Sequence, residues 1–258
     1  MLTPLALVVA AAAATIAWRA RQRTAVLERR LRKASLELES LQQAFTSFAP
    51  HEVVERIIAD GVATSAESKD VTILFADLKG FTPIAEDLDP ARLVEVLNGY
   101  FERMSRAIAS HRGYLAKFIG DGLLALFGAL EPNPWQTNDA LHAALAMRRE
   151  IAEYNAELRA KRLPTLAAGI GLHRGPVVAG VLGTVALKEY GVIGQTVNVA
   201  ARVEALTRVH QTDVLVTEAV RARCDPRFRL RALPATEVKG LHEPLVTFAV
   251  EGFDGDGS

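Results

Sequence analysis

Apolar positions along the chain change their period several times, and each change marks an element. The run VTILFA (residues 71–76) is short and rich in β-branched and aromatic residues, which predicts a buried strand ending at Asp77. Leu93, Val96, Leu97, Tyr100, Met104 and Ile108 then recur at helical spacing, with Asp89 and Pro90 as N-cap and first helical residue and Gly113 as the stop. In YLAKFIGDGLLALFG two apolar runs flank Gly120-Asp121-Gly122, a hairpin signature. A second helix is expected from about Asn138 to Arg162, followed by strands within residues 165–183. The order strand, helix, hairpin, helix, strand predicts an α+β fold with helices on one face of a largely antiparallel sheet.

The N-terminal third follows other rules. Residues 1–18 carry no charged side chain, whereas Arg19, Arg21 and Arg23 follow at once, so this segment is expected to be a retained transmembrane anchor. The positive-inside tendency places everything after Arg19 in the cytoplasm, giving a single-pass protein of the cell inner membrane. Leu27, Leu31, Ala34, Leu38, Leu41, Phe45 and Phe48 alternate at spacings of four and three, the seam of a coiled coil, which predicts a dimerisation helix within residues 19–50. Residues 51–69 read as a short helix and a polar linker, and a single domain is expected over residues 70–252.

Composition narrows the possibilities. Lys plus Arg and Asp plus Glu both total 30, so net charge does not call for nucleic acid as a partner. The one cysteine, Cys224, excludes an intramolecular disulfide and has no chemistry to assign.

The fold predicted above can bring the strand end at Asp77 beside the hairpin turn at Asp121. Two carboxylates at neighbouring strand ends, with little to neutralise them, suit a magnesium site that awaits phosphate oxygens. Taken singly, each also reads as turn chemistry: Asp77 as a cap and Asp121 as a Gly-Asp-Gly turn residue. Lys117 lies on a strand at the same parity as Asp121, facing either the same cleft or solvent. Asn198 and Arg202, four apart, share one helix face.

Together ILFADLKGFT, KFIGDG and VIGQTVNVAARVE resemble the three ordered signature segments of the class III nucleotidyl cyclases, the adenylyl and guanylyl cyclases, and FTSFAPHEVVERII resembles the helix preceding many bacterial members. The resemblance implies a ferredoxin-like βαββαβ catalytic domain. Its activity would be an adenylate cyclase, forming 3′,5′-cyclic AMP and pyrophosphate from ATP with two Mg2+ or Mn2+ ions per site. On the matching positions, Asp77, Asp121 and the Leu78 carbonyl hold metal. Backbone amides from Lys79 through Gly80, Phe81 and Thr82 cradle phosphates. Lys117 reads the purine, Asn198 orients the ribose, Arg202 stabilises charge at the reacting phosphate, and Lys239 contacts the triphosphate. Metal ligands and the base-reading and charge-stabilising residues come from opposite subunits in this family, implying a homodimer with two shared sites. Gly191 stands where adenylyl cyclases usually carry Asp or Thr and offers adenine no side chain, leaving Glu189 or Tyr190 to serve. A guanylate or dual-specificity cyclase and a catalytically silent nucleotide-sensing relative are the alternatives.

Overall fold

The computed structural model describes residues 66–183, 188–238 and 243–255, together with Arg32, Lys33 and Leu36. The chain divides into residues 1–58 and residues 59–258. In the first unit Arg32, Lys33 and Leu36 are helical and exposed. The expected anchor and every position of the coiled-coil seam lie outside the described residues. Among the described residues no helix is long and apolar enough to cross a membrane, so the structure lends neither feature support.

The second unit runs β1 (Glu67–Leu78), α1 (Phe81–Asp87), α2 (Pro90–Ala109), β2 (Tyr114–Ile119), β3 (Gly122–Phe127), α3 (Gln136–Ala160), β4 (Ala168–Gly183), β5 (Lys188–Ile193), α4 (Gln195–Val209), β6 (Val214–Thr217), α5 (Glu218–Arg221), β7 (Phe228–Ala232) and β8 (Thr247–Phe253). The sheet is ordered β2-β3-β1-β4-β6-β8-β7, with β5 paired to β4 beyond that path. Its first four strands, β2-β3-β1-β4, are antiparallel throughout, the ferredoxin-like arrangement expected of βαββαβ. VTILFA becomes the central strand because both its faces can be buried: Ile73 and Leu74 point opposite ways and neither is exposed.

One face of the sheet, through Leu74, Ala76, Leu123 and Ala125, packs on α2 and α3 by way of Val96, Tyr100, Met104, Leu141 and Met147. Helix α2 starts where Asp89 and Pro90 place it, the Asp89 carboxylate accepting from the amides of Ala91 and Arg92. The expected covering of one face alone needs correction: α4 covers the other. The reason is steric. A Cβ at Gly171 would stand 2.1 Å from the Glu204 amide nitrogen, and one at Gly169 would stand 2.1 Å from Thr207 Oγ1, so glycine at alternate positions of β4 lets a helix backbone rest directly on the strand. Helix α4 is thereby pinned across β4, with Val199, Val203 and Leu206 buried against Leu215 and Ala249. Since Gly169 pairs with Asp77 across the sheet, the same close approach brings the end of α4 to the end of β1.

Candidate active site

Asp77 sits where β1 leaves the sheet. The β1–β3 register, ending at Ala76 opposite Leu123, sets it beside Gly122, where a Cβ would come within 2.9 Å of Asp77 Oδ1. A Cβ there would stand equally close to the Ala76 carbonyl oxygen, so the glycine after Asp121 is kept by close packing on the end of β1. Gly120, at φ 63, opens the two-residue turn, and Asp121 completes it half-buried. Burial raises the Asp121 pKa, the charge of Asp77 adds to the rise, and hydrogen bonding to its own backbone and the charge of Arg208 oppose it. The charge of Asp77 is thus felt at Asp121.

Two further groups complete this cluster. Arg208 Nη2 donates to Asp77 Oδ2 at 2.5 Å and to the Leu78 carbonyl at 3.3 Å, and its Nη1 donates to Glu204 Oε1 at 2.9 Å. The Glu204 side chain is only 9% exposed, and burial pushes its pKa up to about 7, against the pull of Arg208 and with the help of Asp77. Beneath them the Tyr100 hydroxyl is buried without a hydrogen-bond partner among the described residues, and its ionisation is suppressed by burial first and then by Asp77, Asp121 and Glu204.

The Glu204 shift has a consequence for stability. A carboxyl that holds its proton more tightly folded than unfolded stabilises the fold fully below its unfolded value near 4.5, and that contribution is lost as pH rises through about 7. Between pH 4.5 and pH 7 the chain should lose stability on the order of 3 kcal/mol from this group. In Glu204→Gln that slope should flatten, as read by denaturant unfolding at pH 5 and pH 7.5; an equal slope in both proteins would contradict the assignment.

Do these residues suit a divalent cation? Two carboxylates and a main-chain carbonyl form a hard oxygen set, and a cation, the Arg208 guanidinium, already stands on Asp77 and Leu78. Among the described residues no three His, Cys, Asp or Glu side chains converge as a metal cage, so a cation here would draw its further ligands from outside these side chains. The oxygen set fits a hard divalent cation held at an open site.

Of the other expected site residues, Gly80, Phe81 and Thr82 follow Leu78 within four residues. Lys117, on edge strand β2, donates from Nζ to Glu189 Oε1 at 2.7 Å. Glu189 and Gly191 share one face of β5. Gly191 is buried, and a Cβ there would press on Leu182 Cδ1 at 3.1 Å. The Tyr190 hydroxyl is buried and donates to the Ala129 carbonyl at 2.8 Å, which leaves Glu189 of the two expected substitutes.

Asn198 is exposed and Arg202 half-buried on α4, and neither side chain makes a hydrogen bond or ion pair among the described residues. Arg202 and Glu204, two apart, are separated by about 200° around the helix. Asn198 and Arg202, four apart and about 40° from one another, share a face of α4 whose side chains have no partner among the described residues, while Arg208 reaches Asp77 of its own chain.

In the expected phosphate cradle the Lys79 amide is already bonded to the Ala167 carbonyl at 2.7 Å, and its ammonium reaches the Thr212 carbonyl at 2.8 Å. Only Gly80, Phe81 and Thr82 remain, at the start of α1, where Gly80 adopts φ 64 and Phe81 is buried. Lys239 lies outside the described residues. Sequence reasoning missed Glu204, Arg208 and Tyr100. The first two were legible as an i,i+4 acid–base pair in VEALTR, and Tyr100 was read only as core.

Residues 63–252 match the family described as the adenylate and guanylate cyclase catalytic domain. The chain belongs to this family, and with it to the class III nucleotidyl cyclases. It is 33% identical over 226 residues to an adenylate cyclase of Anabaena cylindrica, covering 83% of this chain and 44% of that protein. Adenylate cyclase 1 of Rhizobium meliloti is 32% identical over 210 residues, covering 81% of this chain and 32% of that protein. The chain therefore spans less than half the length of these relatives. Among solved structures, the guanylyl cyclase Cya2 superposes with a TM-score of 0.68 at 32% identity, covering 75% of this chain and 97% of that one.

Proposed function

We propose that the chain is an adenylate cyclase that works as a homodimer with two sites shared between subunits. In the reaction the ribose 3′-oxygen of ATP bonds to the α-phosphorus as the bond to pyrophosphate breaks and the 3′-hydroxyl loses its proton. Asp77, Asp121 and the Leu78 carbonyl hold Mg2+ or Mn2+, two per site. When bound, the metal pair acidifies the 3′-hydroxyl and neutralises charge on the α-phosphate and the departing pyrophosphate. Amides of Gly80, Phe81 and Thr82 cradle phosphate oxygens, and Lys239 contacts the triphosphate. From the partner subunit, Asn198 orients the ribose and Arg202 stabilises charge gathering at the α-phosphate. The free polar face of α4 supports this division, as do Phe118 and Ile119, each about half exposed on the edge strand. Residues 1–18 anchor the dimer in the inner membrane with the catalytic domain in the cytoplasm. This part rests on the charge asymmetry at Arg19, Arg21 and Arg23, and recovery of the full chain in the soluble fraction would contradict it.

The observation that carries the choice of ATP is the Lys117–Glu189 pair, a donor beside an acceptor. Adenine presents an acceptor at N1 and an amino donor at N6, which this pair matches with the lysine at N1. With the lysine at N1, the place the resemblance gives it, guanine would set its N1 donor against the ammonium, a mismatch of about 1–3 kcal/mol; only with the lysine at O6 and Glu189 at N1 would the same pair accept guanine. Two observations favour a second reading, a guanylate or dual-specificity cyclase: Gly191 adds no side chain to the base site, and the solved relative at 32% identity is a guanylyl cyclase. Product analysis on the purified dimer with ATP and with GTP decides between them. ATP should be preferred by about one to two decades in kcat/KM, and Lys117→Glu should move that ratio toward GTP. A parent that prefers GTP, or a ratio unmoved by Lys117→Glu, would return the enzyme to the second reading.

A further inference from the structure

Arg208 occupies an unusual place. One nitrogen of its guanidinium bonds both the Asp77 carboxylate and the Leu78 carbonyl, the oxygens proposed above as metal ligands on β1, while another nitrogen bonds Glu204 on its own helix. Glu204 is nearly buried and held one turn back along α4, so its carboxylate is a fixed partner for the guanidinium. Asp77 is about a third exposed, open to ions arriving from solvent. A divalent ion and a guanidinium on the same carboxylate repel at close range, so the ion and Arg208 compete for Asp77 and Leu78. Its remaining bond to Glu204 gives it somewhere to go without a bare charge being buried.

We propose that Arg208 is a positioning residue of the metal site that acts as an exchangeable cation. It holds Asp77 and the Leu78 carbonyl in place while no divalent ion is bound, and it withdraws onto Glu204 when one enters. The apparent affinity for metal is then the intrinsic affinity reduced by the fraction of molecules in which Arg208 has left. Arg208 thereby sets the concentration of divalent ion at which the site fills and keeps the two ligands of β1 aligned before it does. This rests on Asp77 being a metal ligand, and the test separates the two ideas.

The probe is Mn2+ alone, titrated into the purified full-length chain without nucleotide and followed by the electron paramagnetic resonance signal of the free ion. Arg208→Gln should bind Mn2+ about tenfold more tightly than the parent. Arg208→Lys keeps the charge but lacks the fork that spans Asp77 and Leu78, and should bind about threefold more tightly. Asp77→Asn should weaken binding at least tenfold. If Asp77→Asn weakens binding while Arg208→Gln does not tighten it, the exchange is wrong and the metal site stands. If Arg208→Lys equals the parent while Arg208→Gln binds tighter, only net charge matters and the exchange is again overturned. If Asp77→Asn leaves Mn2+ binding unchanged, the metal assignment itself fails. Should Arg208→Gln fail to fold, Arg208→Lys carries the test.

Discussion

Asp77→Ala and Asp121→Ala should each lower cyclase turnover by on the order of three decades or more, because each deletes a principal electrostatic stabiliser of the reacting phosphates. Neither change should unfold the domain. Asp77 at the end of β1 and Asp121 in the β2–β3 turn are both half-buried, and neither belongs to the apolar core. In Asp77→Ala the Arg208 guanidinium keeps Glu204, so no buried carboxylate is left without its partner. Loss of the partly exposed Asp77–Arg208 pair should cost roughly 0–1 kcal/mol. The check is kcat for cyclic nucleotide formation alongside thermal unfolding of the same preparations. Full activity in either folded variant would remove that aspartate from the site.

Arg202→Ala should lower kcat by about two to three decades with little change in KM, the pattern of an interaction made only in the transition state. Arg202 lends itself to this measurement because its guanidinium has no hydrogen bond or ion pair among the described residues, so its removal breaks no internal polar contact there. Arg202→Lys should restore only part of the rate, because a compact ammonium cannot reproduce the planar fork. A rise in KM at unchanged kcat would instead make Arg202 a ground-state binding residue.

How much of this was legible in the sequence depends on which force set each feature. Strand β1 and helix α2 were readable because their apolar positions keep one period and because Asp89-Pro90 is a local cap. The hairpin was readable because Gly120 must take a positive φ. The cover of α4 on the second sheet face was not, because its signal is the absence of side chains at Gly169 and Gly171, a pattern hydrophobic periodicity does not register. Strands β6, β7 and β8, which widen the sheet, lie in a stretch whose pairing is set by distant partners rather than by local turns. Asp77 and Asp121 were nameable from their positions at strand ends. Arg208 was readable only as the i,i+4 partner of Glu204, because only the fold carries residue 208 back to residue 77. Lys117 illustrates the opposite limit: its parity with Asp121 suggested a common cleft, and only the fold shows that its ammonium bonds Glu189, far along the chain.

The division of the site between subunits is the claim on which the functional account turns, and mixing two inactive chains tests it. Asp77→Ala supplies an intact Asn198 and Arg202, and Arg202→Ala supplies intact aspartates. If sites are shared, random pairing makes half the dimers mixed, each with one complete site, and activity should return to about one quarter of the parent level. If mixed dimers form, as shown by differently tagged chains purifying together, and activity stays at the level of the separate variants, then both sets of residues act within one chain and the shared-site account is contradicted.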